Sequence, residues 1–268
     1  LKKEASITVQ NNVHETGAGE PILFAHGYGC DQQVWRFVTP GFSDHRTILF
    51  DHVGAGASDA AAFNRYKYRN LDGYADDILT LCDELELEKV TFVGHSVSAI
   101  VGMLAVIKRP EIFSRLVMVA PSPCYINQAG YVGGFTRPDI DALLELLDTN
   151  HLGWSAAMAP VIMGNAERPE LSDELAGSFC RMNPTIARHF ARVTFLSNNL
   201  EDLPKVAIPT LILQCADDSI APATVGEYMH GVMPESQLVM MQATGHCPHL
   251  SAPRETIAKI RSFLNQAV

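Results

Sequence analysis

No stretch of the 268-residue chain reaches the ~18–20 consecutive apolar residues that a membrane-spanning helix needs. The first fifteen residues, LKKEASITVQNNVHE, also lack the apolar core of a secretory signal. The expectation is a cytoplasmic protein with no membrane contact. Basic residues are scarce: 20 Lys and Arg stand against 30 Asp and Glu, for a net charge of −10 and a pI near 5.4. Such a surface repels a phosphate backbone, so no nucleic-acid partner is expected. The six cysteines (30, 82, 124, 180, 215 and 247) form no C-x-x-C pair. They lie in apolar runs and read as reduced, buried thiols rather than a disulfide frame. There is no internal repeat and no low-complexity segment. What the chain does have is core material: 47% of it is hydrophobic and only 19% charged, which excludes a disordered protein.

Short runs rich in Val, Ile and Leu recur at Ile22–Ala25, Thr47–Phe50, Val90–Val93, Leu116–Ala120, Thr210–Gln214 and Leu238–Met241. Each has the length of a strand. The runs are continuous rather than alternating, which predicts strands buried on both faces, as in a parallel sheet covered by helices. Helical periods at Tyr74–Leu87, Val97–Lys108, Ala223–Met233 and Thr256–Gln266 separate several of them, which gives an α/β alternation. The alternation stops between about Tyr125 and Leu203. Four helical patterns follow one another there, near Asp139–Thr149, Leu152–Met163, Pro169–Arg181 and Pro184–Ser197. The expected organisation is one α/β core, residues 1–124 and 204–268, with a helical lid of residues 125–203 inserted before the last two strands.

The sharpest local signal is Phe92-Val93-Gly94-His95-Ser96-Val97-Ser98, an apolar strand that ends in a glycine turn and passes at once into a helix. A serine on such a turn projects its hydroxyl out of the sheet. The N–H that follows it, at the positive end of the new helix, can stabilise a developing oxyanion. The tripeptide Gly-x-Ser occurs four times in the chain, so context must carry the assignment. Only Ser96 has a buried strand before it, a helix after it, and an acid and a histidine downstream in the order Ser, Asp, His. Its competing role is that of a helix N-cap.

The acid is expected after a late strand, where Asp217 and Asp218 stand side by side. Spacing does not choose between them. The base is expected on the loop after the last strand, which places it at His246 beside Gly245. The glycine-flanked loop Ala25-His26-Gly27-Tyr28-Gly29 follows the first buried strand. With Tyr28 and Val97 it supplies two candidate backbone donors for an oxyanion hole; otherwise it is an ordinary glycine turn. His26 is expected to hold that loop by hydrogen bonds, and His95 to be a turn or packing residue. His246-Cys247-Pro248-His249 has the look of a metal ligand set. Pro248 breaks the helix that would align its members, and no acid or cysteine pair completes a shell, so no metal is expected. Gly54-Ala55-Gly56 suggests a dinucleotide loop, but Asp59 occupies the place of the third glycine. No cofactor is expected.

With Ser96, His246 and the helical insertion in place, the chain resembles α/β-hydrolases of the group that contains the bacterial stress-signalling protein RsbQ and the plant strigolactone and karrikin receptors. The resemblance runs through nearly the whole chain. It rests on Gly27-Tyr28-Gly29-Cys30-Asp31-Gln32, Val93-Gly94-His95-Ser96-Val97, Arg109-Pro110-Glu111-Ile112-Phe113-Ser114, Pro121-Ser122-Pro123-Cys124-Tyr125 and Gly133-Gly134-Phe135. Gln214-Cys215-Ala216-Asp217-Asp218 and Gly245-His246-Cys247-Pro248-His249 extend it. These last two stretches lean toward RsbQ, whereas Val97-Ser98-Ala99 is similar to the plant receptors. The group's acid stands four residues before the proline of the next helix, which here is Asp218 before Pro222. The resemblance also implies a four-helix lid over an apolar pocket, with Tyr28, Val97, Tyr125, Phe135, Trp154, Phe190, Thr194, Phe195 and Cys247 carried over as its lining.

The function expected on these grounds is serine-dependent hydrolysis of a small hydrophobic ester or lactone by a monomer. The alternative is a slow-turnover small-molecule sensor that signals through a protein partner such as a sensor-domain phosphatase. A perhydrolase would use the same three residues; a dehalogenase, which needs an Asp nucleophile, is disfavoured by Ser96.

Overall fold

The computed structural model describes residues 6–266; residues 1–5 and 267–268, which end the two expected core segments, lie outside the described residues. Seven strands are present among them: β1 (His14–Thr16), β2 (Pro21–Ala25), β3 (Arg46–Leu49), β4 (Val90–His95), β5 (Phe113–Val119), β6 (Thr210–Asp217) and β7 (Ser236–Thr244). They form one sheet in the order β1-β3-β2-β4-β5-β6-β7. All neighbours are parallel except β1 and β3. The central strand β4 is buried at every position, as its unbroken apolar run requires.

Two expectations needed correction at the edges of the sheet. Strand β1, exposed throughout, has no apolar run to announce it; it is held by pairing of His14, Glu15 and Thr16 with Leu49, Ile48 and Thr47. Strand β7, at the other edge of the sheet, is not buried on both faces: Met240 is 42% exposed.

The helices are α1 (Ile7–Gln10), α2 (Asp72–Glu84), α3 (Val97–Lys108), α4 (Arg137–Thr149), α5 (His151–Met163), α6 (Pro169–Arg181), α7 (Pro184–Phe195), α8 (Ala223–Val232), α9 (Pro248–Ser251) and α10 (Pro253–Leu264). Helix α3 is apolar almost all round and correspondingly buried from Val97 to Val106. Helices α4 to α7 fall between β5 and β6, where the sequence shows four helical periods. Each has a recognisable start. Thr136 and Asp139 make a reciprocal capping box on α4, Asn150 caps α5, Pro169 opens α6, and Asn183 accepts from the amides of Thr185 and Ile186 on α7. Helix α7 buries Ile186, Ala187, Phe190, Ala191, Thr194 and Phe195, one stripe at spacings of three and four.

Two hydrophobic clusters lie against the sheet. The chain leaves β2 toward β3 on one side and returns through β4 on the other, which makes β2/β4 the point where strand order reverses. Crevices open at the carboxyl ends of strands at such a point. Ala25 is paired with Gly94 there, so the loop after β2 and the turn after β4 emerge side by side. No helix among the described residues is long and apolar enough to cross a membrane.

Candidate active site

Strand β4 ends in a turn that only small neighbours permit. Ser96 has φ 55° and ψ −123°, a conformation costing a side-chain-bearing residue on the order of 1–3 kcal/mol. The surroundings enforce it: the Ser96 amide donates to Val119 O at 2.8 Å, and its carbonyl accepts from Ala99 at 3.0 Å as α3 begins. A β-carbon on Gly94 would collide with the carbonyl of Ser98, which is why glycine stands two residues before the serine.

The Ser96 hydroxyl thereby faces His246, with Oγ 2.8 Å from Nε2. On the other side of the ring, Nδ1 is 2.7 Å from Asp218 Oδ2. The carboxylate fixes the tautomer: Nδ1–H donates to it, leaving the Nε2 lone pair for the serine proton. Asp218 Oδ1 accepts from the amides of Ile220 and Ala221 at 2.8 and 3.0 Å. Burial alone would raise the Asp218 carboxyl, but His246 and these two amides outweigh it and hold the group below its ordinary value. Asp217 is exposed at the end of β6, where its carbonyl accepts from the Gly245 amide at 2.6 Å. The inward acid is Asp218.

The loop after β2 carries Tyr28, and α3 begins with Val97. Neither amide donates a hydrogen bond to another group among the described residues. The Val97 N–H is one of the first-turn donors that a helix leaves free. The loop turns sharply through Gly29 at φ 77°, and a β-carbon there would strike the ring of Phe179.

A narrow cavity of ≈ 30 Å³ lies over Ser96. Of the residues expected to line it, Tyr28, Tyr125, Thr194, Phe195 and Cys247 do so. Three do not. Trp154 is wholly buried one layer out, edge-on to Tyr28 at 5.9 Å and 5.2 Å from Phe179. Phe190 stacks on Tyr74 at 4.5 Å, beneath Tyr28. Phe135 is half-buried outside the cavity, its amide bound to Tyr125 O at 3.1 Å. Sequence reasoning missed Cys30, His95, Ile162, Leu175, Phe179 and Ile220. Leu175 and Phe179, four apart on α6, carried the only usable signal.

The lining is apolar but for a few groups. The Tyr125 hydroxyl lies 3.4 Å from Ser96 Oγ, and burial pushes its pKa up to about 12, so it stays protonated. His95 donates its Nε2–H to the His246 carbonyl, 2.8 Å away; burial, with His246 beside it, lowers its pKa to about 3. The structure also adds His95 to Cys247 and His249, a grouping that spacing along one loop could not reveal. Their donor atoms lie within 4.8 Å of one another, against edges of roughly 3.4–3.6 Å in a tetrahedral zinc shell. No carboxylate joins them, and the rings are packed on one another, with His95 and His249 4.3 Å apart and Trp35 4.8 Å beyond.

Residues 22–260 match the alpha/beta hydrolase family. Among similar proteins, karrikin insensitive 2 receptor CA of Petunia hybrida is 36% identical over 91% of each chain. Strigolactone esterase D14 of Arabidopsis thaliana is 36% identical over 96% of each. A solved hydrolase from Oleispira antarctica superposes with a TM-score of 0.94, at 40% identity over 97% of both chains.

Proposed function

The chain belongs to the alpha/beta hydrolase family, and from that premise we propose that it hydrolyses a small hydrophobic ester or lactone through Ser96, His246 and Asp218. The observation that carries this reading is the unbroken line from Asp218 through His246 to Ser96, opening into an apolar cavity. His246 Nε2 takes the Ser96 proton as Oγ attacks the carbonyl carbon. The resulting oxyanion is met by the N–H groups of Tyr28 and Val97. The alkoxide leaves with the proton from His246, and water, deprotonated by the same nitrogen, releases the acid. Residues 125–203 act as a lid on a core of residues 1–124 and 204–268. Support comes from Ile162, Leu175, Phe179, Thr194 and Phe195, by which α5, α6 and α7 close the cavity.

The second reading, a sensor of slow turnover whose output is contact with a protein partner, is favoured by the tightness of that cavity. A product or acyl group held there leaves slowly, and a ligand that favours one lid state shifts the population that a partner meets. Two of the similar proteins are named a karrikin insensitive 2 receptor and a strigolactone esterase. The test is pre-steady-state hydrolysis of a chromogenic short-chain ester by the wild type and Ser96→Ala, followed for many enzyme equivalents. Sustained Ser96-dependent turnover supports the hydrolase. A burst near one equivalent that stalls supports the sensor, and turnover surviving in Ser96→Ala overturns both.

A further inference from the structure

Ser98 stands where the turn around Ser96 needs a second small residue, and its hydroxyl is wholly buried. It donates to the backbone carbonyl of His26 and accepts from His52 Nε2 at 2.7 Å. The His52 amide in turn donates to His26 Nε2 at 3.0 Å. The three contacts close a ring that joins the start of α3, the loop after β2 and the loop after β3. They also assign the protons. The single Ser98 proton is committed to His26 O, so His52 Nε2 carries a proton of its own. His26 Nε2 is an acceptor, so His26 Nδ1 is protonated and donates to Gly27 O at 2.9 Å. The Cys30 amide reaches the same carbonyl at 3.3 Å.

The Gly27 carbonyl belongs to the peptide unit whose N–H is that of Tyr28. In a planar trans peptide the two point in opposite directions, so clamping the carbonyl aims the N–H. We propose that Ser98 and His52 are positioning residues that, through His26, hold the Gly27–Tyr28 peptide with its N–H turned toward the oxyanion formed at Ser96. This rests on the reading of Ser96 as nucleophile. His52 suits the task because burial, with His26 beside it, keeps its ring neutral. Without the ring of hydrogen bonds the Gly27 carbonyl keeps the longer contact from the Cys30 amide, the peptide is aimed less firmly, and the donor is weakened in the transition state.

The test compares Ser98→Ala, His52→Phe and His52→Gln with the wild type in ester hydrolysis and in binding of two inhibitors. One inhibitor is a trifluoromethyl ketone, which forms a charged tetrahedral adduct; the other is the corresponding methyl ketone, which does not. Ser98→Ala and His52→Phe are expected to lower kcat by roughly 10- to 100-fold, with KM changed less than about threefold. Both should weaken the trifluoromethyl ketone in proportion and leave the methyl ketone alone. His52→Gln keeps an N–H near the Nε2 position and should recover most of the loss. Equal weakening of the two ketones, or no recovery with Gln, would reduce the ring to a structural brace and overturn the proposal. Should Ser98→Ala fail to fold, the Phe and Gln variants at position 52 decide. Ser96→Ala in the same assay separates the two levels. Residual turnover there removes the nucleophile reading itself, whereas an inactive Ser96→Ala beside an unaffected Ser98→Ala removes only the positioning role.

Discussion

The phenolic hydroxyl of Tyr28 donates to the backbone carbonyl of Ala187 at 3.2 Å, which fastens the loop after β2 to helix α7. The same ring is surrounded by Trp154, Phe179, Phe190 and Phe195, from α5, α6 and α7. On the proposed function, one residue thus offers a backbone donor to the reaction and a side chain to the helices above it.

Tyr28→Phe removes that bond and little else. The expected cost is about 1 kcal/mol, a fall in Tm of about 2–4 °C for a chain of this size. Stopped-flow binding of a fluorescent apolar ligand should show faster entry and exit. An unchanged Tm together with unchanged exchange would show that the tether carries no weight.

Asp218→Asn keeps the shape of the acid but reverses the preference of the imidazole tautomer, and should cut kcat by ~10³–10⁴-fold. Asp217→Asn, at an exposed side chain, should stay within about twofold of the wild type. The pair of kcat values decides which acid serves the histidine; equal effects would reject the choice of Asp218.

His52, His95 and His249 are buried and neutral, each with its pKa depressed in the folded state, first by burial and then by neighbouring histidines. The unfolded chain binds protons near pH 6.5 and the native state does not, so this stability is present above about 6.5. It is lost as pH falls toward the folded values. Three such groups give a slope approaching about 4 kcal/mol per pH unit below pH 6. Urea unfolding at pH 7, 6 and 5 measures it, and His249→Gln should lower the slope by about one proton.

Two glycines make a contrasting pair. Gly94→Ala drives a methyl group into the Ser98 carbonyl and Ala99 amide, backbone that cannot step aside, and should cost about 2–3 kcal/mol or prevent folding. Gly231→Ala in α8 meets nothing within 4 Å and should gain about 0.5–1 kcal/mol of helix preference. Thermal unfolding of both variants settles the order.

Phe195→Ala enlarges the cavity and should move ester preference toward longer acyl chains. Trp154→Ala, one layer further out, should cost about 3–5 kcal/mol of stability without reordering that preference. A chain-length series for each variant, read beside its Tm, distinguishes lining from support.

The elements that position the site could be read from the chain because each obeys a local rule. Continuous apolar runs made the parallel strands, and the break in alternation at Tyr125 marked the four helices. Gly94 before Ser96 marked the turn. The edges escaped because pairing decides them: β1 has no apolar signal, and Met240 sits in an apolar run yet faces outward at the last strand. The cavity lining escaped in part because helix rotation decides it. Trp154 and Phe190 are as apolar as Phe179 and Leu175, but the facing of α5, α6 and α7 turns only the latter pair toward Ser96. His95 and Cys30 were passed over because their neighbours along the chain offered a sufficient reason for them.

The amide of His246 donates to Ile162 O at 2.8 Å, and Gly245 lies so close to Met163 O that no β-carbon fits between them. The imidazole is therefore anchored at one end to the core acid and at the other, through its own backbone, to the last turn of α5. A guest that fits only by pushing Ile162 aside moves that turn, and with it the histidine's footing. Such a molecule would be taken up yet left intact, so discrimination by size would be written in rates of conversion rather than in affinities. A survey of binding alone would count inhibitors and substrates as one class.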